Sequence, residues 1–331
     1  MSNSLKTTPE DFDSLTACYT DPDSNLRWDT VFVLPSWLRV WWKSFGTGKE
    51  LYLRAVRRGE KIIGIAPLQI RNNTASVIGS INVCDYQDFV TTPGMEKEFF
   101  NAILDDFRHK GINCLDLEPL RNDSAIMTHL VPLARERRYQ VSLSQVDVSL
   151  EIELPRGWDE YLQLLSRKQR HELRRKMRNL QAFNETGYQV VEDKNRMPEA
   201  VEAFLKLFPE ARQDKAEFMT PEMQTFFRSL AESLAEESLL KIGILESGGN
   251  PVAMVMYFDY NGNIYLYNSS YNPEYKSLSV GLISKARCIQ DSIQKKKRKF
   301  DFLKGPEQYK YHLGGKEIPL FHCRISMGDE E

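Results

Sequence analysis

Cysteine is scarce, long apolar runs are missing, and neither sign of charge dominates. The five cysteines (Cys18, Cys84, Cys114, Cys288, Cys323) among 331 residues are odd in number and widely scattered. No pair has zinc-ligand spacing and no disulfide framework emerges, so a stapled secreted scaffold is excluded and a reducing cytoplasm is expected. Met1 to Ser14 is polar and carries no apolar signal region. Apolar runs are short, as in Val252 to Phe258, whereas a bilayer span needs about 20 residues. Forty-four Lys+Arg nearly cancel 46 Asp+Glu, leaving a net charge of −2. Such a chain does not coat nucleic acid as a whole, although a local basic site stays open. The sequence has no G-x-S-x-G, H-E-x-x-H, Walker loop or G-x-G-x-x-G, and its five histidines form no ligand pattern. No metal is expected, and His109 and His129 read as surface residues.

What is present is a globular composition, with 41% hydrophobic and 27% charged residues, at a length that fits two domains. The two halves repeat one layout. Leu51 to Gly79 and Leu239 to Ser269 each read as three strands separated by turns, with glycine at Gly59 and at Gly248-Gly249. Each trio is followed by an amphipathic helix, marked by Phe99, Phe100, Ile103, Leu104 and Phe107, and by Leu282, Ala286, Ile289 and Ile293. A short strand with a central acid follows each helix, at Asp116 and at Asp301. The acids lie 185 positions apart (116 and 301) and the first strands 188 (51 and 239), a near-constant offset that argues for duplication. The expected fold is α/β, with a boundary near Pro155-Arg156-Gly157 dividing domains 1–155 and 156–331. A helical insertion opens the second, with helices from a Ser166 cap to about Asn184, Met197–Phe208 and Pro221–Leu234.

Four segments could carry chemistry. Tyr275-Lys276-Ser277-Leu278-Ser279-Val280-Gly281 leads from a strand into a helix, whose N-terminus suits a phosphate, although taken alone it reads first as an ordinary capped helix start. The stretch Asp301 to Gly315 packs Glu307, Tyr309, Lys310 and Tyr311 after a strand, where open α/β sheets place ligands, or else forms a polar loop. Asp85-Tyr86-Gln87-Asp88 offers carboxylates for an amine or sugar hydroxyl, or serves as a turn. Arg167 to Arg178 holds seven Lys/Arg against one acid, so pairing along the helix cannot account for it. It suits a polyphosphate, an RNA or an anionic membrane surface, with Arg170, Arg174 and Arg178 on one face.

Taken in order, "PSWLRVWWKSFG", "IIGIAPL", Asp85 to Asp88, "SRKQRHELRRKMRNL", the Gly281 helix start and "DFLKGPEQYK" with Gly314 resemble the GNAT acyltransferase superfamily. The likeness is to its tandem CelD-like (BioF2-like) branch, related to FemAB/FemX, and spans about Leu34 to Ile325. It implies two GNAT-like domains, each a mixed sheet flanked by helices. The first would face the acceptor; the second would bind the donor and catalyse. It also implies N-acyl transfer from acyl-CoA to an amine of a sugar or envelope precursor, small or lipid-linked, with no tightly bound cofactor. FemX-like enzymes place a lysine four residues before a glycine to stabilise the charged intermediate, and Lys310 before Gly314 matches that position. Under this reading Tyr309 protonates the leaving thiolate, and Asp301 or Glu307 holds the amine or takes its proton. Asp85, Tyr86 and Asp88 bind the acceptor. Tyr275, Lys276, Ser277, Ser279, Gly281, Arg170, Arg174 and Arg178 hold the donor. One departure is plain: the GNAT pyrophosphate loop Arg/Gln-x-x-Gly-x-Gly/Ala is absent. Aminoacyl-tRNA is therefore the alternative donor, as in FemX-like relatives. A catalytically degenerate pair acting as a scaffold is the non-enzymatic alternative, and peripheral contact with an anionic membrane stays open.

Overall fold

The computed structural model describes residues 4–211 and 213–328. From the N-terminus the chain forms β1 (Leu5–Pro9), α1 (Phe12–Thr20), α2 (Pro35–Phe45), β2 (Glu50–Arg58), β3 (Lys61–Arg71), β4 (Thr74–Val77), β5 (Val90–Thr91), α3 (Glu96–Lys110) and β6 (Cys114–Arg121). It continues through α4 (Val131–Glu136), β7 (Gln140–Glu153), α5 (Trp158–Leu164), α6 (Arg167–Phe183), β8 (Thr186–Val191), α7 (Met197–Leu207), α8 (Gln213–Phe218) and α9 (Pro221–Glu236). The remaining elements are β9 (Leu240–Ser247), β10 (Asn250–Tyr260), β11 (Asn263–Tyr271), α10 (Val280–Gln294), β12 (Lys299–Lys304), α11 (Gln308–His312) and β13 (Lys316–Ser326). Two compact units result. One is the chain to Val148 together with the segment from Ile318; the other is Ser149–Glu317.

The first unit has strand order β1-β2-β3-β4-β6-β13, antiparallel except where β4 and β6 run parallel. The apolar face of α3 covers it: Phe99, Phe100, Ile103, Leu104 and Phe107 are buried against Tyr52, Val56, Leu68, Leu115 and Leu117. Gly64 in "IIGIAPL" is required by this packing, because a Cβ there would fall 2.3 Å from the Phe99 ring. Trp37 and Trp41 of α2 are fully buried.

The second unit repeats the plan. Strands β8, β9, β10 and β11 form an antiparallel meander, β12 joins β11 in parallel, and the end of β7 pairs antiparallel with β12. The face of α10 carrying Val280 and Ile283 packs with Leu180 of α6 and with Leu245, Val252 and Ala253 of β9 and β10. Helix α6 starts where expected. Ser166 caps it by accepting from Gln169 N (3.3 Å), and the Gln169 side chain accepts from Ser166 N (2.9 Å) in return.

The division differs from 1–155 and 156–331 at both joints. Residues from Ile318 fold with the first unit because β13 hydrogen-bonds to β6, from Leu320 opposite Arg121 to Ser326 opposite Cys114. The end of β7, from Ser149, folds with the second because Glu153 to Ser149 pair with Lys299 to Lys304. In a sheet, membership follows the ladder, and the Pro155-Arg156-Gly157 breaker lies past the point where the ladder changes hands. Among the described residues no helix is long and apolar enough to cross a membrane.

Candidate active site

The parallel strands β11 and β12 set the site's geometry. They pair over only three positions, Asn263 to Tyr265 against Lys299 to Asp301, although β11 continues to Tyr271. A register shift at Met256/Tyr257 leaves an extra residue in β11 opposite β10, a β-bulge that strengthens local twist. Beyond the paired stretch lies a cavity of about 300 Å³ lined by Tyr271 of β11, Ser279 to Leu282 and Lys285 of α10, Lys176 of α6, and Tyr309 and His312 of α11. A larger cavity of about 1150 Å³ shares Lys176, Leu282 and His312 with it. Its other walls are the α6 face from Ser166 to Arg174, and Leu313. Gln169 ties α6 to this place, its side-chain amide donating to Tyr311 O at 2.9 Å.

The two cavities are strongly cationic. Arg167, Lys168, Arg170, Arg174, Lys176, Lys276 and Lys285 line them. The one acid in the linings, Glu172, is held by Arg175 (2.7 Å) and Lys176 (3.6 Å), and its side-chain bond to Arg175 brings its carboxyl down to about 2. Arg170 and Arg174 line the larger cavity, whereas Arg178 does not. At the start of α10 the donors narrow. Residues Pro273–Leu278 form a 3-10 turn and Ser279 ends it in a left-handed conformation (φ 58°), its N–H donating to Lys276 O at 3.0 Å. Ser279 sits at the N-cap position without a side-chain cap bond. Val280 and Gly281 thus carry the open first-turn N–H groups. A Cβ on Gly281 would stand 3.0 Å from the Tyr271 ring, so this glycine makes room for the chain's own cavity wall. Tyr275 packs edge-on against Phe183 and with the α10 core cluster, and Ser277 is exposed in the turn; neither lines the cavity.

The block after β12 behaves differently from expectation. Lys310 is 1% exposed, and its ammonium donates to Leu303 O (2.9 Å), Lys304 O (2.6 Å) and Gly305 O (2.9 Å) while pairing with Glu307 at 2.8 Å. An ammonium has three protons, and three carbonyls take them. Lys310 gathers the carbonyls of a bulge, where Leu303 (φ 62°) and Gly305 (φ 104°) turn out of the ladder; no proton is left for an oxyanion. Asp301 is 2% exposed and accepts from Leu303 N at 2.7 Å, so it braces the same bulge. Glu307 is spent on Lys310. Tyr309 alone of the four lines the cavity.

Sequence reasoning missed Lys285, which sits 6% exposed in the cavity wall. Its Nζ donates to Gly281 O at 2.8 Å and stands 4.6 Å from the centroid of the Tyr309 ring. Burial, reinforced by the Lys215 charge and opposed by Glu307, brings its amine down to about 7. A lysine one position before Ala286, inside an apolar stripe, was the available signal. The basic tract Lys295 to Lys299 just after α10 is engaged in ion pairs, Lys295 with Asp291 (3.2 Å) and Lys297 with Asp259 (2.7 Å).

In the first unit the expected acceptor residues are mostly structural. Both Asp88 oxygens are taken by N–H groups, Oδ2 by Ala125 (2.8 Å) and Oδ1 by Ile126 (3.2 Å) and Phe89 (2.9 Å). It anchors a helical turn. Burial outweighs these bonds and pushes its carboxyl up to about 7. Tyr86 is buried edge-on against Phe32 with the Arg121 guanidinium 5.2 Å from its ring. Asp85 is half-buried. His109 and His129 are exposed, as expected.

Residues 167–311, all within the second unit, match the family described as the acetyltransferase (GNAT) domain, and the protein is a transferase. No curated protein matches the chain. Among solved structures, FemX is similar over 96% of both chains at 10% identity, with a TM-score of 0.65. A conserved protein of unknown function from Bacteroides thetaiotaomicron covers 98% of this chain and 100% of its own at 11% identity (TM-score 0.59). The C-terminal domain of a putative lysylphosphatidylglycerol synthetase from Agrobacterium fabrum covers 83% of each at 9% identity (TM-score 0.55). At such identities the likeness is one of fold, that of two GNAT-like α/β units in tandem along the chain.

Proposed function

We propose that the protein is an N-acyltransferase that moves an acyl group from acyl-CoA to an amine of a small or lipid-linked envelope precursor. The observation that carries this reading is the cationic double cavity at the start of α10, in a GNAT domain. Acyl transfer from a thioester needs a positioned carbonyl, a neutral amine and relief of the charges that develop. Here the Val280 and Gly281 N–H groups and Lys276 receive phosphate oxygens, and Arg170 and Arg174 hold the rest of the anion. Tyr309 stands at the cavity wall to protonate the departing thiolate. Lys310, Asp301 and Glu307 hold the loop that presents Tyr309. The envelope acceptor is supported by the fold shared with a lysylphosphatidylglycerol synthetase domain. Leu164 and Phe183, 61% and 60% exposed just before α6 and at its end, suit an anionic membrane surface beside that helix.

Titration calorimetry with acetyl-CoA tests the donor site. Arg170→Glu with Arg174→Glu is expected to weaken binding at least tenfold, about 1.4 kcal/mol, while Arg178→Glu leaves it within twofold. Equal affinity in the double variant overturns the placement. A second reading, aminoacyl-tRNA as donor, is favoured by the cation of α6 that continues past the cavity at Arg178. Single-stranded RNA binding loses affinity with a salt slope of about −0.7 per phosphate contact. A steep slope with tRNA, together with no acetyl-CoA binding, selects that donor.

A further inference from the structure

Two lysines, Lys285 in the cavity wall and Lys310 behind it in the bulge after β12, are buried in this unit, and their surroundings differ. Lys310 is saturated by three carbonyls and a carboxylate. Lys285 has one carbonyl, Gly281 O, and among the described residues no carboxylate pairs with it. It nonetheless faces the cavity that the donor reading fills with an acyl thioester. We propose that Lys285 is the general base of the reaction, its neutral amine taking the proton from the attacking nitrogen.

This assignment rests on the acyl-transfer reading and adds to it the residue that removes the proton. A neutral lysine amine has two N–H donors and one lone pair. Gly281 O takes one N–H, which holds Nζ on the cavity side of α10. Every element around it bears on its charge. From α8 comes Lys215, from α11 and its approach Lys310 and Glu307, and from α10 the buried Cys288, whose thiol burial pushes up to about 12. Lys176, Lys276 and His312 line the same cavity. Burial first, and then the Lys215 charge, disfavour the ammonium; Glu307 opposes them, Lys310 adds a smaller push toward the neutral amine, and Cys288, protonated at neutral pH, brings no charge, so the amine stands at about 7. That is where a general base works best at neutral pH.

In the step, the acceptor nitrogen attacks the thioester carbonyl and its C–N bond forms. Its proton passes to Lys285 Nζ as the C–S bond breaks, and the thiolate takes a proton from Tyr309. Solvent then removes the proton from Lys285 and returns one to Tyr309, so amide and free thiol are the only products.

Two measurements on the full chain decide the proposal. The first is competitive labelling with acetic anhydride from pH 5 to 11, read by peptide mass spectrometry with exposed Lys276 as reference. A Lys285 midpoint near pH 7 is expected, and one above pH 9 overturns the proposal even if the donor is unknown. The second follows thiol release from acetyl-CoA with aniline, already neutral across this pH range, as the amine probe. Wild-type kcat/KM is expected to rise with pH and level off above about 7. Lys285→Met and Lys285→Arg should each lower kcat on the order of 100- to 10,000-fold, abolish the pH limb, and keep acetyl-CoA affinity within threefold. Arginine is the decisive variant, because it keeps a long hydrogen-bonding side chain but stays protonated and cannot act as a base at neutral pH. An active Lys285→Arg protein, or a pH limb that survives in Lys285→Met, overturns the assignment. Should acetyl-CoA neither bind nor react with wild-type protein, the donor reading falls and the labelling midpoint alone decides Lys285.

Discussion

Replacing Lys310 with methionine separates a structural lysine from a catalytic one. Methionine keeps the aliphatic stem but removes an ammonium that serves Leu303 O, Lys304 O, Gly305 O and Glu307 from a position 1% exposed. Breaking a buried charged pair by removing one partner costs about 3–5 kcal/mol. Each carbonyl left unpaired costs roughly 1–3 kcal/mol where water cannot reach it. Because Glu307 is half-exposed and Lys304 and Gly305 only half-buried, water recovers part of this. A loss of about 3–5 kcal/mol is therefore expected, which lowers Tm by roughly 6–20 °C for a unit of this size. Lys310→Arg should rescue little, since a planar fork cannot converge on three carbonyls from one point. Scanning calorimetry and thiol-release assays below Tm make the test. A Tm within 2 °C of wild type, combined with turnover reduced about 100- to 1000-fold as for a lost oxyanion donor, would refute the structural role and restore the oxyanion role that the Lys310–Gly314 spacing implies.

Two further expectations follow from the same structure. Gly281→Val pushes the Tyr271 ring, only 3.0 Å from the added Cβ, into the cavity, so acetyl-CoA affinity measured by calorimetry should fall at least tenfold, about 1.4 kcal/mol, with the fold intact by circular dichroism. Asp88 keeps its proton to about pH 7 when folded, whereas the unfolded chain gives it up near pH 3.9. The folded state thus binds the extra proton, and this contribution to stability is full below about pH 4 and lost as pH rises through 7. Asp88→Asn, still able to accept one N–H, should remove that slope in denaturant titrations between pH 4 and 8; an unchanged slope rejects the assignment.

The duplication was legible because it is written in periodicities. Three-strand runs, 15-residue helices and a constant offset survive without knowledge of contacts. The capping box at Ser166 and Gln169 was half legible: serine before a basic run announces a helix start, but the Gln169 bond to Tyr311 O joins residues 142 positions apart. Roles within the site were less so. A lysine between two tyrosines in a polar block is the same sequence whether its ammonium points to a ligand or back onto its own bulge. The deciding fact, the left-handed Leu303 that turns the carbonyls inward, leaves no mark in residue type, since leucine rarely adopts that conformation. Asp88 hid in the same way, because an acid beside a turn can serve a helix formed 38 residues later.

Why the site falls in the second unit follows from comparing the two copies of one helix. Helices α3 and α10 are both 15 residues long and start 184 positions apart, at 96 and 280. The first turn of α3 carries Glu96 and Glu98, so the positive end of its dipole is already met by carboxylates and a phosphate would be repelled. The first turn of α10 carries no acid, no side-chain cap and a glycine at its second position, so its N–H groups remain for an incoming anion. At the same offset, Asn101 of α3 accepts from Arg137 (2.5 Å) where α10 has Lys285 facing a cavity. One copy spent its helix start and its inward polar position on internal bonds, and the other left both open. Introducing Gly281→Glu copies the acidic first turn of α3 into α10. It should abolish acetyl-CoA binding by charge even at salt concentrations where Gly281→Gln, of nearly the same size, retains measurable affinity; equal affinities for the two variants would show that space, not the field of the helix, admits the donor.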